Sequence, residues 1–308
     1  MKHYPRIFEE LFTIRDWLRF TVSRFEEAEI FFGHGTDNAY DEAVWLIMSA
    51  LHLPHDTLHN FLDARITESE RKHLAHLLER RISERIPTAY LLREAWLQGF
   101  KFYVDERVIV PRSFIAELLE DGLQAWIEYP ELIHSAADIC TGSGCLGVLL
   151  ANAFPDAAID VVDISKDAIN VCNINIANYA LESRVQAIES DMFSALQDKT
   201  NGCKKYDLII SNPPYVDAPS MATLPREYQN EPQLALGSGA DGLDHTHTIL
   251  REAVKHLNDN GILVVEIGHN RDALLDAYPD LPFTWLDTTS GDEFVFLLTK
   301  QQLQSNQQ

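Results

Sequence analysis

The sequence predicts an α/β protein in which a small helical bundle precedes a mostly parallel, seven-stranded sheet with crossover helices. Three observations predict it. The first 86 or so residues place apolar side chains at helical spacing. Five short apolar runs, "SAADICTG", "AIDVVDIS", "RVQAIESD", "DLIISNPP" and "GILVVEIG", then alternate with helical stretches, the pattern of parallel strands joined by crossovers. Finally, "FTWLDT" and "EFVFLLTK" are separated only by "TSGD", too short for a crossover, so an antiparallel pair closes the sheet.

Taken in order, residues 6 to 32 put Ile7, Leu11, Ile14, Leu18, Val22 and Phe25 on one helical face, and the pattern ends at Gly33 in "GHGTDN". A second helix is expected across "AYDEAVWLIMSALHL". Another opens at "TESE", where Thr67 and Glu70 have capping-box spacing, and runs towards a stop at Pro87. Residues 1–86 therefore read as a helical domain, 87–112 as a linker with short strands, 113–300 as the α/β domain, and the polar 301–308 as a frayed tail. His52, His55 and His59 have no accompanying carboxylate motif, and the four cysteines form no C-x-x-C pair, so no metal site is expected. No apolar run approaches the roughly 20 residues of a membrane span, and a cytoplasmic location is expected.

The net charge of −22 is unevenly placed. Residues 1–95 carry 12 Lys and Arg against 16 Asp and Glu, whereas residues 96–308 carry 13 against 31, a net −18. Such a surface repels phosphate backbones and attracts basic proteins, although it serves solubility equally well.

In "DICTGSGCLGVLLANAF", Gly142, Gly144 and Gly147 meet the G-x-G-x-x-G spacing between a strand and a helix, which lets a nucleotide approach the helix N-terminus. The next strand ends at Asp163. Its carboxylate can accept ribose hydroxyls or cap the following helix, for which Ser165 is the better candidate. A dinucleotide and S-adenosyl-L-methionine both fit so far. "NPPY" after the fourth strand decides between them. Asn212 offers a side-chain oxygen, and Pro213, which cannot donate, leaves a backbone carbonyl beside it. Two acceptors in one plane can hold a planar NH2 group with its nitrogen facing a sulfonium methyl, and Tyr215 can pack on the flat group.

"NPPY" behind a strand, with "DICTGSG" upstream, resembles the Rossmann-like class I S-adenosylmethionine methyltransferases that act on planar nitrogens. Over nearly the whole chain, "RIPTAYLLREAWLQGFKFYVDERVIVPR", "NEPQLALGSGADGL" and "EIG" look like the HemK-like N(5)-glutamine protein methyltransferase family. "VPRSFI" and "DICTGSGC" look like its branch acting on large-subunit ribosomal protein L-three. The release-factor branch usually carries Gly where Cys140 stands. The resemblance implies that residues 1–86 recognise substrate, a basic ribosomal protein that is free or in an assembly intermediate. It implies that Thr141, Gly142, Ser143 and Gly144 line the methionine part of the cofactor, Asp163 its ribose, and Asp191 with Met192 its adenine. Asn212 then sits beside the cofactor and, with Pro213, Pro214 and Tyr215, holds the glutamine; Asn212, Pro213 and Tyr215 are the expected catalytic residues. Where the family often has Gln after its E-x-G element, this chain has Arg271, for which no role is implied. The same chemistry on release factors is one alternative, and adenine-N6 methylation of nucleic acid is another, against which the acidic α/β half stands. A non-catalytic cofactor-binding module would have no use for "NPPY".

Overall fold

The computed structural model describes residues 7–198 and 202–305, which divide into two compact units. One unit comprises residues 1–95 together with Pro225–Asn230, and the other comprises residues 96–224 and 231–308. Among the described residues, no helix is long and apolar enough to cross a membrane.

The helical unit is built on α1 (Ile14–Glu27), α2 (Ala39–Ala50) and α3 (Glu68–Ser83). Ile14, Trp17, Leu18 and Phe25 of α1 pack with Leu46 and Ile47 of α2 and with Leu74, Leu77 and Leu78 of α3. The helix expected across residues 6–32 is interrupted. A four-residue helix, Ile7–Glu10, stops before Thr13, whose hydroxyl accepts from Asp16 N while Asp16 returns a bond to Thr13 N. Thr13 also bridges Arg65, so a long-range pairing converts one amphipathic run into two helices. At α3 the capping box forms as its spacing predicts, with Glu70 accepting from Thr67 N at 2.6 Å. Pro87 ends nothing permanently: its φ of −53° starts a further short helix, Thr88–Leu92.

The second unit holds the sheet. Its strands are β1 (Ser135–Ile139), β2 (Ala158–Asp163), β3 (Val185–Glu189), β4 (Tyr206–Ser211), β5 (Leu257–Glu266), β6 (Thr284–Trp285) and β7 (Val295–Thr299), in the spatial order β3-β2-β1-β4-β5-β7-β6. The first five are parallel, and β7 runs antiparallel to both β5 and β6, the closing pair that the short "TSGD" link requires. Crossovers include α4 (Cys145–Ala153), α5 (Lys166–Asn178) and α6 (Asp244–His256). Strand order reverses between β1 and β4, whose ends align with Ile139 opposite Ser211. Loops leaving two such strands diverge and open a crevice at their carboxyl ends. The tail expected to fray from residue 301 is helical as α7 (Lys300–Ser305), because Leu303, its one apolar residue, is buried against the sheet core; residues 306–308 lie outside the described residues.

Candidate active site

The crevice at the switch point is a cavity of about 1050 Å³, including its open mouth. Its floor is the loop after β1. Thr141 donates its backbone N–H to Val162 O at 2.9 Å and its hydroxyl to Asp138, a buried acid whose pKa burial pushes up to about 7. Gly142 has φ +55°, and a Cβ placed there would meet no atom within 4 Å: its missing side chain leaves open space over the loop. Gly144 is glycine for the opposite reason, since a Cβ would lie 2.5 Å from Cys172 Sγ.

Asp163 ends β2 and accepts from Gly142 N at 2.9 Å and Ser165 N at 2.8 Å. Ser165, not Asp163, caps α5, through Ala168 N at 3.2 Å. A carboxylate has about four acceptor sites, so Asp163 retains capacity for hydroxyl donors. Burial raises its pKa above the ordinary carboxylate value, against the pull of those backbone N–H groups. Asp191 and Met192 follow β3 and line the same cavity, with Met192 Sδ 3.8 Å from Cys140 Sγ.

Asn212 leaves β4 into the cavity, and its Oδ1 is buried with no hydrogen-bond partner among the described residues. A buried carbonyl oxygen without a donor carries a desolvation cost of roughly 1–3 kcal/mol, which a donor brought by a ligand would offset. The loop around it is tied down. Asn270 Nδ2 donates to Tyr215 O at 2.7 Å, and Val216 exchanges backbone bonds with Leu236 and Ser238 at 2.8 and 2.9 Å. Tyr215 donates its hydroxyl to Glu266 Oε1 at 3.4 Å, and its ring covers Gly268, where a Cβ would sit 2.7 Å from Cδ2. Glu266, at the end of β5, also accepts from Ser113 Oγ at 2.6 Å and Phe114 N at 2.9 Å, and burial pushes its pKa up to about 7.

The cavity thus brings together Thr141, Gly142, Ser143, Asp163, Asp191, Met192, Asn212 and Pro214. Gly144, Pro213 and Tyr215 adjoin lining residues in the loops that follow β1 and β4. Sequence reasoning missed Cys140, held at φ +64°, and Leu234 and His245, all of which line the cavity. Glu231 accepts Val110 N at 2.9 Å and both Arg112 Nη atoms at 2.6 and 2.7 Å, which anchors the "VIVPR" stretch at the cavity edge. Arg271 is engaged elsewhere: it lies 4.6 Å over the Trp285 ring and donates to Asp292 O. The open space over Gly142, the spare acceptor sites of Asp163 and the orphaned Asn212 oxygen fit a nucleoside-bearing methyl donor next to an amide substrate.

Residues 16–92 match the family described as "PrmC N-terminal domain", and residues 116–224 the one described as "Methyltransferase small domain". The chain is 61% identical to a ribosomal protein uL3 glutamine methyltransferase of Neisseria gonorrhoeae, over 96% of this chain and 97% of the relative. The chain belongs to that protein-glutamine methyltransferase family. Relatives of the same description in Neisseria meningitidis and Burkholderia pseudomallei are 60% and 52% identical, covering 96% and 94% of this chain and 95% of each relative. This methyltransferase also shares its fold with the hMettl16 catalytic domain in complex with MAT2A 3′UTR hairpin 1, at a TM-score of 0.50 and 13% identity over 96% of this chain and 94% of that one. The class I fold and the methyltransferase domain make S-adenosyl-L-methionine the methyl donor.

Proposed function

We propose that this protein methylates the side-chain amide nitrogen of a glutamine in ribosomal protein uL3, forming N(5)-methylglutamine, in the cytoplasm and on uL3 that is free or in an assembly intermediate. The observation that carries the site assignment is Asn212, which lines the cavity and whose buried Oδ1 has no hydrogen-bond partner among the described residues. The uL3 substrate named for the relatives, and the net −18 of residues 96–308 towards a basic partner, support the choice of uL3.

In this reading, Thr141, Gly142, Ser143 and Gly144 shape the floor under the methionine part of the donor, Asp163 accepts from the ribose hydroxyls, and Asp191 and Met192 flank the adenine. The bound donor supplies an electrophilic methyl on its sulfonium. Asn212 Oδ1 and Pro213 O accept the two amide hydrogens, while Pro214 and Tyr215 fix the loop around the glutamine. An amide nitrogen is a weak nucleophile because its lone pair is shared with the carbonyl. Two acceptors on its hydrogens push density back onto nitrogen, and their hold strengthens as nitrogen becomes positive, so they stabilise the transition state more than the ground state. No strong base is needed first: the proton leaves after transfer, when the nitrogen is far more acidic.

The test is label transfer from methyl-labelled S-adenosyl-L-methionine to uL3 and to peptide chain release factors, side by side. Label on a uL3 glutamine, with release factors blank, is the expected result. Label on release factors alone would move the substrate to the other branch, and label on nucleic acid alone would overturn the amide reading.

A further inference from the structure

Three side chains with ring or guanidinium nitrogens line the cavity, and two of them are taken up by acids. Arg107 donates to Asp105 through Nε at 2.8 Å and Nη2 at 2.6 Å, and Arg112 is held by Glu231. The third, His245, has no part in the chemistry proposed so far. It is the second residue of α6 and is half-buried in the cavity wall. Its backbone N–H donates to Ser238 Oγ at 3.2 Å, and the same oxygen lies 2.7 Å from its Nδ1.

That geometry sets the tautomer. Ser238 is only 1% exposed, and its hydroxyl carries one hydrogen. Among the described residues, that hydrogen has no recorded acceptor other than His245 Nδ1. If Nδ1 were protonated, the buried hydroxyl hydrogen would be stranded; if Nδ1 accepts, that hydrogen is paired and the ring proton sits on Nε2. Burial favours the uncharged ring and holds its pKa below the ordinary imidazole value, against the opposite pull of the Asp244 and Asp191 carboxylates. The cavity wall therefore offers both an acceptor, the Asp191 carboxylate, and a donor, the His245 Nε2–H.

An adenine edge offers the complement: an exocyclic amino group that donates and ring nitrogens that accept. We propose that His245 is a specificity-determining residue for the methyl donor, its Nε2–H donating to a ring nitrogen of the adenine beside Asp191. The proposal rests on the assignment of this cavity to S-adenosyl-L-methionine. Ser238 acts through His245 as a positioning residue.

Calorimetric titration with S-adenosylhomocysteine and with 5′-methylthioadenosine, which keeps adenine and ribose but lacks the amino-acid tail, tests it. His245→Leu should bind both ligands about tenfold more weakly, the scale of one lost hydrogen bond. His245→Gln, which retains a donor, should stay within about threefold of wild type, and Ser238→Ala should fall between the two. In turnover, the His245→Leu loss should appear in KM for the methyl donor more than in kcat. Should His245→Leu fail to fold, the Gln and Ala variants carry the same comparison. Unchanged affinity for both ligands would overturn the proposal, and so would weaker S-adenosylhomocysteine binding with methylthioadenosine unaffected, or a kcat loss at intact affinity. A wild-type protein that binds neither ligand would overturn the cavity assignment itself, and this inference with it.

Discussion

Two buried polar sites, the Arg81 cluster of the helical unit and the cavity wall of the α/β unit, hold their groups in opposite ways. In the helical unit Arg81 is 1% exposed, yet Nε donates to Glu42 at 2.5 Å, Nη1 to Glu227 at 3.4 Å and Nη2 to Phe31 O at 3.0 Å. Glu42 accepts further from Thr88 at 2.7 Å and Thr36 at 3.1 Å, and Glu227 from Phe31 N and Arg85 at 3.2 Å. In the α/β unit, Asn212 Oδ1 is buried with no partner among the described residues, and Asp163 is held by backbone N–H groups alone among the described residues. A network whose members satisfy one another has nothing to offer a ligand. A wall with open acceptors is costly to maintain and gains its partner only on binding.

The largest effect should come from breaking the closed network. Arg81→Ala leaves Glu42 and Glu227 buried without their shared cation, so thermal or denaturant unfolding should show a loss of about 3–5 kcal/mol. A loss under about 1 kcal/mol would mean that the charges are not confined as the burial indicates, and the contrast between the units would weaken.

Next comes the cavity acid. Asp163→Ala should weaken S-adenosylhomocysteine binding by about 1–3 kcal/mol, since the ribose hydroxyls lose their buried acceptor. The pH dependence has a definite sign. Burial raises the Asp163 pKa, and only the ionised carboxylate accepts from both hydroxyls, so affinity should fall as pH is lowered towards that raised value. Asp163→Asn should bind more weakly at neutral pH but lack this particular dependence, which titrations across the acidic range would reveal.

Much of this was legible because turn chemistry is local. Glycines after one strand and prolines after another mark where the chain must leave a sheet, and both loops lie at the carboxyl ends of β1 and β4. What escaped the sequence depends on partners far along the chain. Thr13 breaks an amphipathic run because it bridges Arg65, and Leu303 orders a polar tail by reaching the core. Tyr215 reads as an aromatic face for the substrate. In the structure its ring rests on Gly268 and its hydroxyl meets Glu266, more than 50 positions away. His245 escaped for a different reason: its partner Ser238 is only seven positions away, but its aim depends on the rotation of α6.

The central claim is that the unpaired Asn212 oxygen is where the glutamine amide is held, and single-turnover methylation of uL3 by Asn212→Ala and Asn212→Asp measures it most directly. Removing an oxygen that bonds nothing should cost little stability and leave S-adenosylhomocysteine affinity nearly intact, whereas the Ala rate should fall by on the order of 10²-fold or more. Asn212→Asp should bind the cationic methyl donor as well or better, because its charge stabilises the sulfonium in the ground state, and should still turn over more slowly. Single-turnover rates equal to wild type in both variants would make Asn212 a turn residue and contradict the account.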